Sequence, residues 1–377
     1  MLGNSLSELN LPVPEMEVNC KRILVIGPSH KGALPESYAC AFERLGMEVF
    51  RFDDDRALFR AAGFARHRLL RRAFRPLLWW ELNRAVLEIA ETVRPALIFA
   101  VRAVYLEPKI IARVRSATGA TFVNHYPDNP YIGVRLYPGE ASTQRRNLVD
   151  ALRQYSTVWM WERGLARRLQ QDGVAAEYLP FGVDPELFCP QPANPLICAS
   201  CAAPHPVVFV GTGTRARRQE IAKIRRHSIA IWGDGWRGKV KSQHHLHPPV
   251  YAQSLARIHA AAEISLNVLN AESLDGHNMR TFEVPASGGV MLARYSAAQA
   301  EFFPENEAAA YYRSAEELDA KIDLLLGDAR LRQRIRENGS RIAASHTYDR
   351  RAVQVLRHAG LDITASSPPV EEGAPRQ

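Results

Sequence analysis

Residues 207–218 read Val207-Val208-Phe209-Val210-Gly211-Thr212-Gly213-Thr214-Arg215-Ala216-Arg217-Arg218. The apolar run, the paired glycines and the arginine-rich stretch predict a buried strand, a tight turn and a helix start. Backbone N–H groups in such a turn, the positive end of the helix and forked guanidinium groups together suit a diphosphate. A solvated basic helix face is the alternative. We favour diphosphate binding, with these expected contacts: Gly211, Gly213, Arg215 and Arg218.

Short apolar runs alternate with amphipathic stretches on both sides of this motif. In the first half, strands are predicted at 22–26, 96–101, 120–124, 157–161 and 177–179, with helices that include 78–93 and 106–117. In the second half, strands are predicted at 207–210, 229–232, 264–268 and 290–293, with helices between and after them. This alternation is typical of parallel βαβ units. It predicts an α/β protein with two similar, doubly wound domains.

A proline-rich segment separates the two halves. Residues 185–206 carry six prolines without an apolar period, and we predict that they form a linker. The first domain would then span 21–184 and the second 207–345. We expect a last helix at 346–363 to cross back to the first domain, and disorder at 1–20 and 364–377. Ligands of doubly wound folds bind beyond the carboxyl ends of the strands, so the βα turns hold the candidate sites.

Composition narrows the classes of protein. The 377 residues include 48 Lys+Arg and 40 Asp+Glu, which gives a net charge of +8, and 46% are hydrophobic. These values exclude a disordered chain or a small disulfide-stapled one. Nucleic acid is not expected as a partner, because the basic residues are not interleaved with aromatics on a recognition module. Five cysteines and the lack of a secretory leader pattern indicate a cytoplasmic setting, and no apolar run is long enough to span a membrane.

A second candidate site reads Asp275-Gly276-His277-Asn278-Met279-Arg280-Thr281-Phe282-Glu283. If Asn278 caps a helix, the two carboxylates bracket its N-terminus. Carboxylates accept hydrogen bonds from paired sugar or ribose hydroxyls, and Arg280 and the helix end can face phosphate. The chemistry therefore suits a nucleotide sugar. Alternatively, Glu283 forms only a salt bridge with Arg280 at the i,i+3 spacing.

Two turns of the first domain are further candidates. After a predicted strand, residues 124–130 include His125 and Asp128, which could orient an acceptor, touch a donor sugar or act as a general base. They could equally only shape a proline-rich turn. Residues 27–32 form a turn after the first strand that could lie close to a ligand, but they lack the spacing of a dinucleotide or P-loop motif.

Three other features are weaker. Cys198-x-x-Cys201 with His205 is only a partial zinc pattern, and the cluster of His244, His245 and His247 is better explained by a solvated loop, so no metal site is predicted. Residues 66–81 form a basic amphipathic stretch that ends in tryptophans. It could lie on an anionic membrane surface or be an ordinary helix with its apolar stripe in the core.

Taken together, several motifs resemble the spore maturation protein CgeB-like family, which is similar to sugar-nucleotide glycosyltransferases of the GT-B fold. The resemblance covers about residues 150–355 well and the first domain only in its general pattern. Besides the glycine turn, the motifs that carry it are Leu179-Pro180-Phe181-Gly182-Val183-Asp184-Pro185-Glu186-Leu187-Phe188, Ile231-Trp232-Gly233-Asp234-Gly235-Trp236, Ile264-Ser265-Leu266-Asn267-Val268, Arg280-Thr281-Phe282-Glu283-Val284-Pro285-Ala286-Ser287-Gly288-Gly289 and His346-Thr347-Tyr348-Asp349-Arg350-Arg351-Ala352.

The resemblance implies two Rossmann-like domains that face a central cleft, with a nucleotide-diphosphate sugar held by the second. No resident cofactor or metal is implied, since Arg215 or Arg218 would neutralise the diphosphate, with Lys239 or Lys241 as the second cation. Related retaining enzymes carry an acidic residue and a glutamate that are separated by seven residues. Asp275 would then meet the donor sugar, with Asp in place of the usual Glu, and Glu283 would meet the ribose.

The resemblance also implies transfer to an acceptor on the first domain, which could be a glycan, a lipid-linked glycan, a protein or a small molecule. Retention is favoured, with the leaving phosphate as the base. The alternatives are a non-catalytic module that binds a nucleotide sugar or a partner, a sugar-nucleotide epimerase, and a phosphorylase.

Overall fold

The computed structural model describes residues 22–61, 75–131, 148–190, 205–270 and 276–361. They form two parallel sheets, each with helices packed against it. The first sheet has the order β2-β1-β3-β4-β5-β6, and the second β12-β11-β10-β7-β8-β9. The strands of the first sheet are β1 (Arg22–Ile26), β2 (Glu48–Phe52), β3 (Leu97–Val101), β4 (Thr121–Tyr126), β5 (Thr157–Met160) and β6 (Ala176–Tyr178). The strands of the second are β7 (Val207–Val210), β8 (Ala230–Trp232), β9 (His245–His247), β10 (Ile264–Asn267), β11 (Met291–Arg294) and β12 (Ala310–Tyr312).

Helices connect the strands and cover the sheets. In the first domain they include α1 (Leu34–Arg44), α2 (Asp54–Ala61), α3 (Arg75–Val93), α4 (Pro108–Thr118) and α5 (Arg163–Gln171). In the second they include α6 (Arg215–Ile221), α7 (Ala252–Ala261), α8 (Arg280–Ala286), α9 (Ala297–Phe302), α10 (Ala315–Gly327) and α11 (Ala329–Ala343). The strands β3 and β7 are unbroken apolar runs because both faces of each sheet are covered there, and every residue of both strands is buried.

The strand order reverses once in each sheet. In the first sheet, β1 lies between β2 and β3, and in the second, β7 lies between β8 and β10. Chain connections leave in opposite directions at such a switch point, which opens a crevice beyond the carboxyl ends of the strands. The turn after β7 therefore lies where a ligand of this fold is expected.

The last helix, α12 (Tyr348–His358), joins the domains. It packs against α1, where Asp349 accepts a hydrogen bond of 2.6 Å from Arg44 Nη2. At its other end, His358 Nε2 lies 2.6 Å from Thr157 Oγ1 on β5. The chain thus passes twice between the domains, once after β6 and once before α12.

The two doubly wound domains predicted from the sequence are confirmed. Three short edge strands, β2, β9 and β12, were not predicted; polar side chains interrupt the apolar run in β2 and β9, and β12 has only three residues. The helix after the glycine turn, α6, is short and ends at Ile221. Of the predicted linker, residues 185–190 are described and begin with a turn whose Phe188 is buried. Residues 191–204 and both predicted disordered ends lie outside the described residues.

None of the helices in the described part of the chain combines the length and apolar character needed to cross a bilayer.

Candidate functional site

A cleft of about 440 Å³ lies between the carboxyl ends of the two sheets. The first domain contributes Leu34 and the turn after β4, and the second contributes the turns after β7, β8 and β10. The segment before α7 and the start of α8 also line the cleft. The site thus lies beyond the carboxyl ends of the strands, as expected for this fold.

The floor of the second-domain side is built from two glycine turns in contact with each other. A β-carbon on Gly233 would lie 2.3 Å from the carbonyl oxygen of Gly211, and one on Gly213 would lie 2.8 Å from that of Gly235. The N–H group of Gly213 donates to the carbonyl oxygen of Asp234 at 2.8 Å. Because side chains are absent at these positions, the backbone itself forms the surface that a ligand would meet. Gly211 and Gly233 line the cleft, whereas Gly213 lies within the contact between the turns.

Of the three arginines at the start of α6, Arg217 lines the cleft. Its Nε donates to the carbonyl oxygen of Val268 at 2.9 Å, which holds the side chain across the β7–β10 switch point. Arg215 is exposed and is not among the lining residues. Arg218 does not line the cleft either, because its Nη1 donates to the carbonyl oxygen of Gly213 at 2.7 Å. Arg215 and Arg218 were the arginines predicted to contact the ligand. The phase of this short helix, which composition does not reveal, places Arg217 at the cleft wall instead.

The two lysines considered as a second cation lie elsewhere. Lys241 Nζ donates to the carbonyl oxygen of Ile224 at 3.3 Å, and its side chain does not reach the cleft wall. Lys239 is exposed and does not line the cleft. The second arginine that lines the cleft is Arg280, at the start of α8.

Asn278 fixes the entry to α8. Its Oδ1 accepts a hydrogen bond from the N–H group of Thr281 at 3.0 Å, which is a capping interaction. Its Nδ2 donates to Oδ1 of Asn267 on β10 at 2.9 Å, and Gln299 accepts from Asn267 Nδ2 at 3.0 Å. This buried amide network ties the helix start to the central strand. Asn278 and Arg280 both line the cleft.

Glu283 is 2% exposed and lies beneath the cleft wall rather than in it. It pairs with Arg280 Nη1 one helical turn away. The i,i+3 salt bridge that the sequence allowed between these two residues is therefore formed. Asp275, the other carboxylate of the motif, lies outside the described residues.

His125 and Asp128 have different surroundings. Asp128 lines the cleft and pairs with Arg102 Nε at 3.0 Å. His125 is fully buried behind the wall, between Tyr38 and the stacked ring of Phe181, and both of its ring nitrogens lack hydrogen-bond partners within the described residues. Burial lowers the pKa of His125 to about 3, so the ring is neutral near pH 7. The structure therefore brings Asp128, but not His125, to the site.

The turn at residues 27–32 reaches the second domain. A β-carbon on Gly32 would lie 3.5 Å from the backbone nitrogen of Ala252. Leu34, which follows this turn, lines the cleft together with the exposed Tyr251 beside Ala252. The turn is therefore an interdomain contact at the rim of the site.

The histidine cluster is an edge strand and not a loop. His245 and His247 lie on β9, and their ring centroids are 4.6 and 5.8 Å from that of His205. The described side chains contain no group of three His, Cys, Asp or Glu residues placed to hold a metal ion. Cys198 and Cys201 lie outside the described residues.

Comparisons with known proteins agree with this geometry. Residues 215–357 match the family described as "Glycosyl transferase-like". No curated protein matches the chain in sequence. Sucrose-phosphate synthase from Thermosynechococcus elongatus has a similar structure, with 13% identity, a TM-score of 0.65 and coverage of 90% of this chain and 98% of that one.

Two further structures are similar over most of their length. Anabaena HepE in complex with UDP-glucose has 15% identity and a TM-score of 0.61, covering 89% of this chain and 99% of that chain. A glycosyltransferase from Rickettsia africae has 13% identity and a TM-score of 0.60, covering 93% and 100%. The chain therefore has the GT-B fold, with two Rossmann-like domains that face a cleft, and most of its second domain matches a glycosyl transferase-like family.

Proposed function

We propose that this protein is a glycosyltransferase that moves a sugar from a nucleotide-diphosphate donor to an acceptor. The observation that carries the proposal is the cleft at the β7–β10 switch point, where Arg217 and Arg280 accompany the glycine turn of Gly211. The matched family and the UDP-glucose complex of HepE, which shares the fold, support it. The finer assignment to the CgeB-like group rests on the sequence motifs alone.

The diphosphate is assigned to the Gly211 turn. Guanidinium groups bind phosphate oxygens through paired, charge-assisted hydrogen bonds, so Arg217 and Arg280 supply the positive charge that the leaving diphosphate requires. On this proposal no metal ion is needed. The cleft wall also includes Trp232, Pro249 and Val250, whose apolar surfaces suit the faces of a nucleobase or sugar ring.

The transfer is proposed to retain the anomeric configuration. The bond from the anomeric carbon to the diphosphate oxygen breaks, the bond to the acceptor oxygen forms on the same face, and the acceptor proton passes to the leaving diphosphate. This fits the spacing of Asp275 and Glu283, an acidic residue and a glutamate separated by seven residues. It also requires no protein base, which accords with the burial of His125. Asp128, on the first-domain wall, is the proposed contact for the acceptor.

The acceptor is proposed to be a glycan, a lipid-linked glycan, a protein or a small molecule, reached from the cytoplasmic face of an anionic membrane. Leu77 and Trp80 at the start of α3 are 49% and 55% exposed. The guanidinium of Arg84 lies 5.3 Å from the centroid of the Trp80 ring. An exposed tryptophan with an arginine beside it suits the interface of such a membrane. The preceding basic residues, 66–74, lie outside the described residues.

Calorimetric titration of the purified chain with uridine, adenosine and guanosine diphosphates, and with their glucose conjugates, tests the donor site. We expect one nucleotide series to bind. Arg217→Ala should weaken it tenfold or more, because a hydrogen bond to a charged group contributes about 1.5–3 kcal/mol. Arg215→Ala is the matched control and should bind within about twofold of the wild type, since Arg215 lies outside the cleft wall. Equal effects of the two substitutions would contradict the assignment.

Turnover separates the proposed function from its alternatives. Release of nucleoside diphosphate that depends on an added acceptor supports transfer. Donor binding without turnover across a broad acceptor panel would indicate a non-catalytic module, and conversion of the donor sugar to its epimer without an acceptor would indicate an epimerase.

A further inference from the structure

We propose that Trp161, a first-domain residue outside the cleft wall, is a positioning residue for the donor-binding segment 276–280 of the second domain. The proposal rests on the proposed function, because it assigns to this segment the task of receiving the donor. It adds that the donor pocket is complete only when the first domain holds the segment in place.

The first observation is a direct contact across the domains. Trp161 follows β5 and is almost fully buried. A β-carbon built on Gly276 would lie 2.3 Å from Cζ3 of the Trp161 ring, 3.2 Å from Cη2 and 3.3 Å from Cε3. The indole thus covers the Gly276 backbone so closely that no side chain fits between them. Glycine is required here by the tryptophan of the other domain.

The next residue makes a second contact with the first half of the chain. Nε2 of His277 accepts a hydrogen bond from the backbone N–H group of Phe181 at 3.2 Å. The Phe181 ring stacks on Trp161, with centroids 6.0 Å apart and planes 15° apart. His277 lies edge-on to the same indole. An accepting Nε2 requires an unprotonated nitrogen, and burial, with a smaller effect of the nearby Arg351 charge, lowers the pKa of His277 to about 3.

The second domain also holds the segment. Ser296 Oγ donates to the carbonyl oxygen of Gly276 at 2.7 Å. The residues that follow, Asn278 to Arg280, all line the cleft. Gly276 and His277 therefore contact Trp161 and Phe181 of the first domain, and Gly276 also contacts Ser296 of the second. Displacement of the indole would weaken the contacts that the first domain makes with this segment.

A size-exchange cycle tests the proposal. Gly276→Ala introduces the overlapping β-carbon and should weaken donor binding at least tenfold, with KM raised more than kcat is lowered. Trp161→Leu should weaken binding by about threefold to tenfold. The double variant should bind more tightly than Gly276→Ala alone, because the smaller side chain makes room for the methyl group. Trp161→Phe, which keeps an aromatic face, should retain most of the affinity.

Trp159→Leu is the matched control. Trp159 is also buried on β5, but it packs against Phe99 and His358 instead of the segment. It should lower stability while leaving donor affinity within about twofold. The proposal would be overturned if Gly276→Ala and Trp161→Leu lowered donor affinity independently, so that their effects simply added in the double variant. It would also be overturned if Trp159→Leu and Trp161→Leu lost donor affinity equally.

Amide hydrogen exchange separates this proposal from the proposed function. In the ligand-free chain, the amides of residues 277–280 should exchange faster in Trp161→Leu than in Trp159→Leu. If the wild type binds no nucleotide sugar but this difference is present, the proposed function fails and the positioning by Trp161 stands. If exchange at 277–280 is equal in the two variants, the positioning role is wrong whatever the ligand.

Discussion

A β-carbon on Gly233 would lie 2.3 Å from the carbonyl oxygen of Gly211, so the turns after β8 and β7 can meet only as glycines. Gly233 also has a φ of +144°, in a region that favours glycine. Gly233→Ala should therefore lower the free energy of unfolding by about 2 kcal/mol or more and weaken donor binding. Urea unfolding and calorimetry measure the two effects.

The control for this prediction is Gly238→Ala. Gly238 has a φ of +65°, but a β-carbon there would meet nothing within 4 Å. Only the backbone penalty of about 1 kcal/mol is expected, with donor binding unchanged. If the two variants lose equal stability, backbone strain rather than the contact between the turns explains the glycine at 233.

The buried Arg280–Glu283 pair should be essential for the donor site. Glu283→Ala removes the buried carboxylate that pairs with Arg280, so the guanidinium that lines the cleft loses its partner and donor binding should become undetectable by calorimetry. Glu305→Ala breaks a pair with Arg313 whose residues do not line the cleft, and it should leave donor affinity unchanged. Unchanged binding in Glu283→Ala would refute the role of this residue.

Two buried histidines should make the protein less stable in mild acid. Burial lowers the pKa of both His125 and His277 to about 3, so between pH 7 and 5 the unfolded chain takes up protons that the folded chain does not. Their contribution to stability is therefore complete above the unfolded pKa, near 6.5, and is lost as pH falls through the window toward 3. Each should cost about 2 kcal/mol between pH 7 and 5.

The variant His125→Phe isolates one of these groups. The free energy of unfolding is measured with urea at pH 7 and at pH 5. Its decrease between these two pH values should be about 2 kcal/mol smaller in the variant than in the wild type. Parallel pH profiles for the two proteins would show that His125 does not remain neutral in the folded state.

The exposed start of α3 should direct the protein to acidic membranes. The full chain should co-sediment with vesicles that contain anionic lipid and much less with neutral ones. Trp80→Ala should reduce co-sedimentation with the acidic vesicles severalfold, because an interfacial aromatic side chain is lost. Leu324→Ala, which removes a side chain of comparable exposure on α10, is the control. Equal binding of the wild type to acidic and neutral vesicles would refute the electrostatic contact.

Sequence reasoning was most reliable where local patterning is strong. The strands β3 and β7 are continuous, buried apolar runs, and the prediction located both of them. The short edge strands β2, β9 and β12 were not predicted, because at an edge the partner strand and not the side-chain pattern defines the strand. Within the site, four predicted residues line the cleft: Gly211, Asn278, Arg280 and Asp128.

The sequence by itself determined that this chain forms two doubly wound domains and that the turn after β7 is a candidate anion site, because periodicity and glycine spacing act locally. Only the tertiary structure decided which side chains share the cleft. It turned Arg217 rather than Arg215 or Arg218 toward the site, placed His125 behind the wall and Glu283 beneath it, and set Trp161 of one domain against Gly276 of the other. These outcomes depend on helix phase and on contacts between residues more than one hundred positions apart, which no local pattern records.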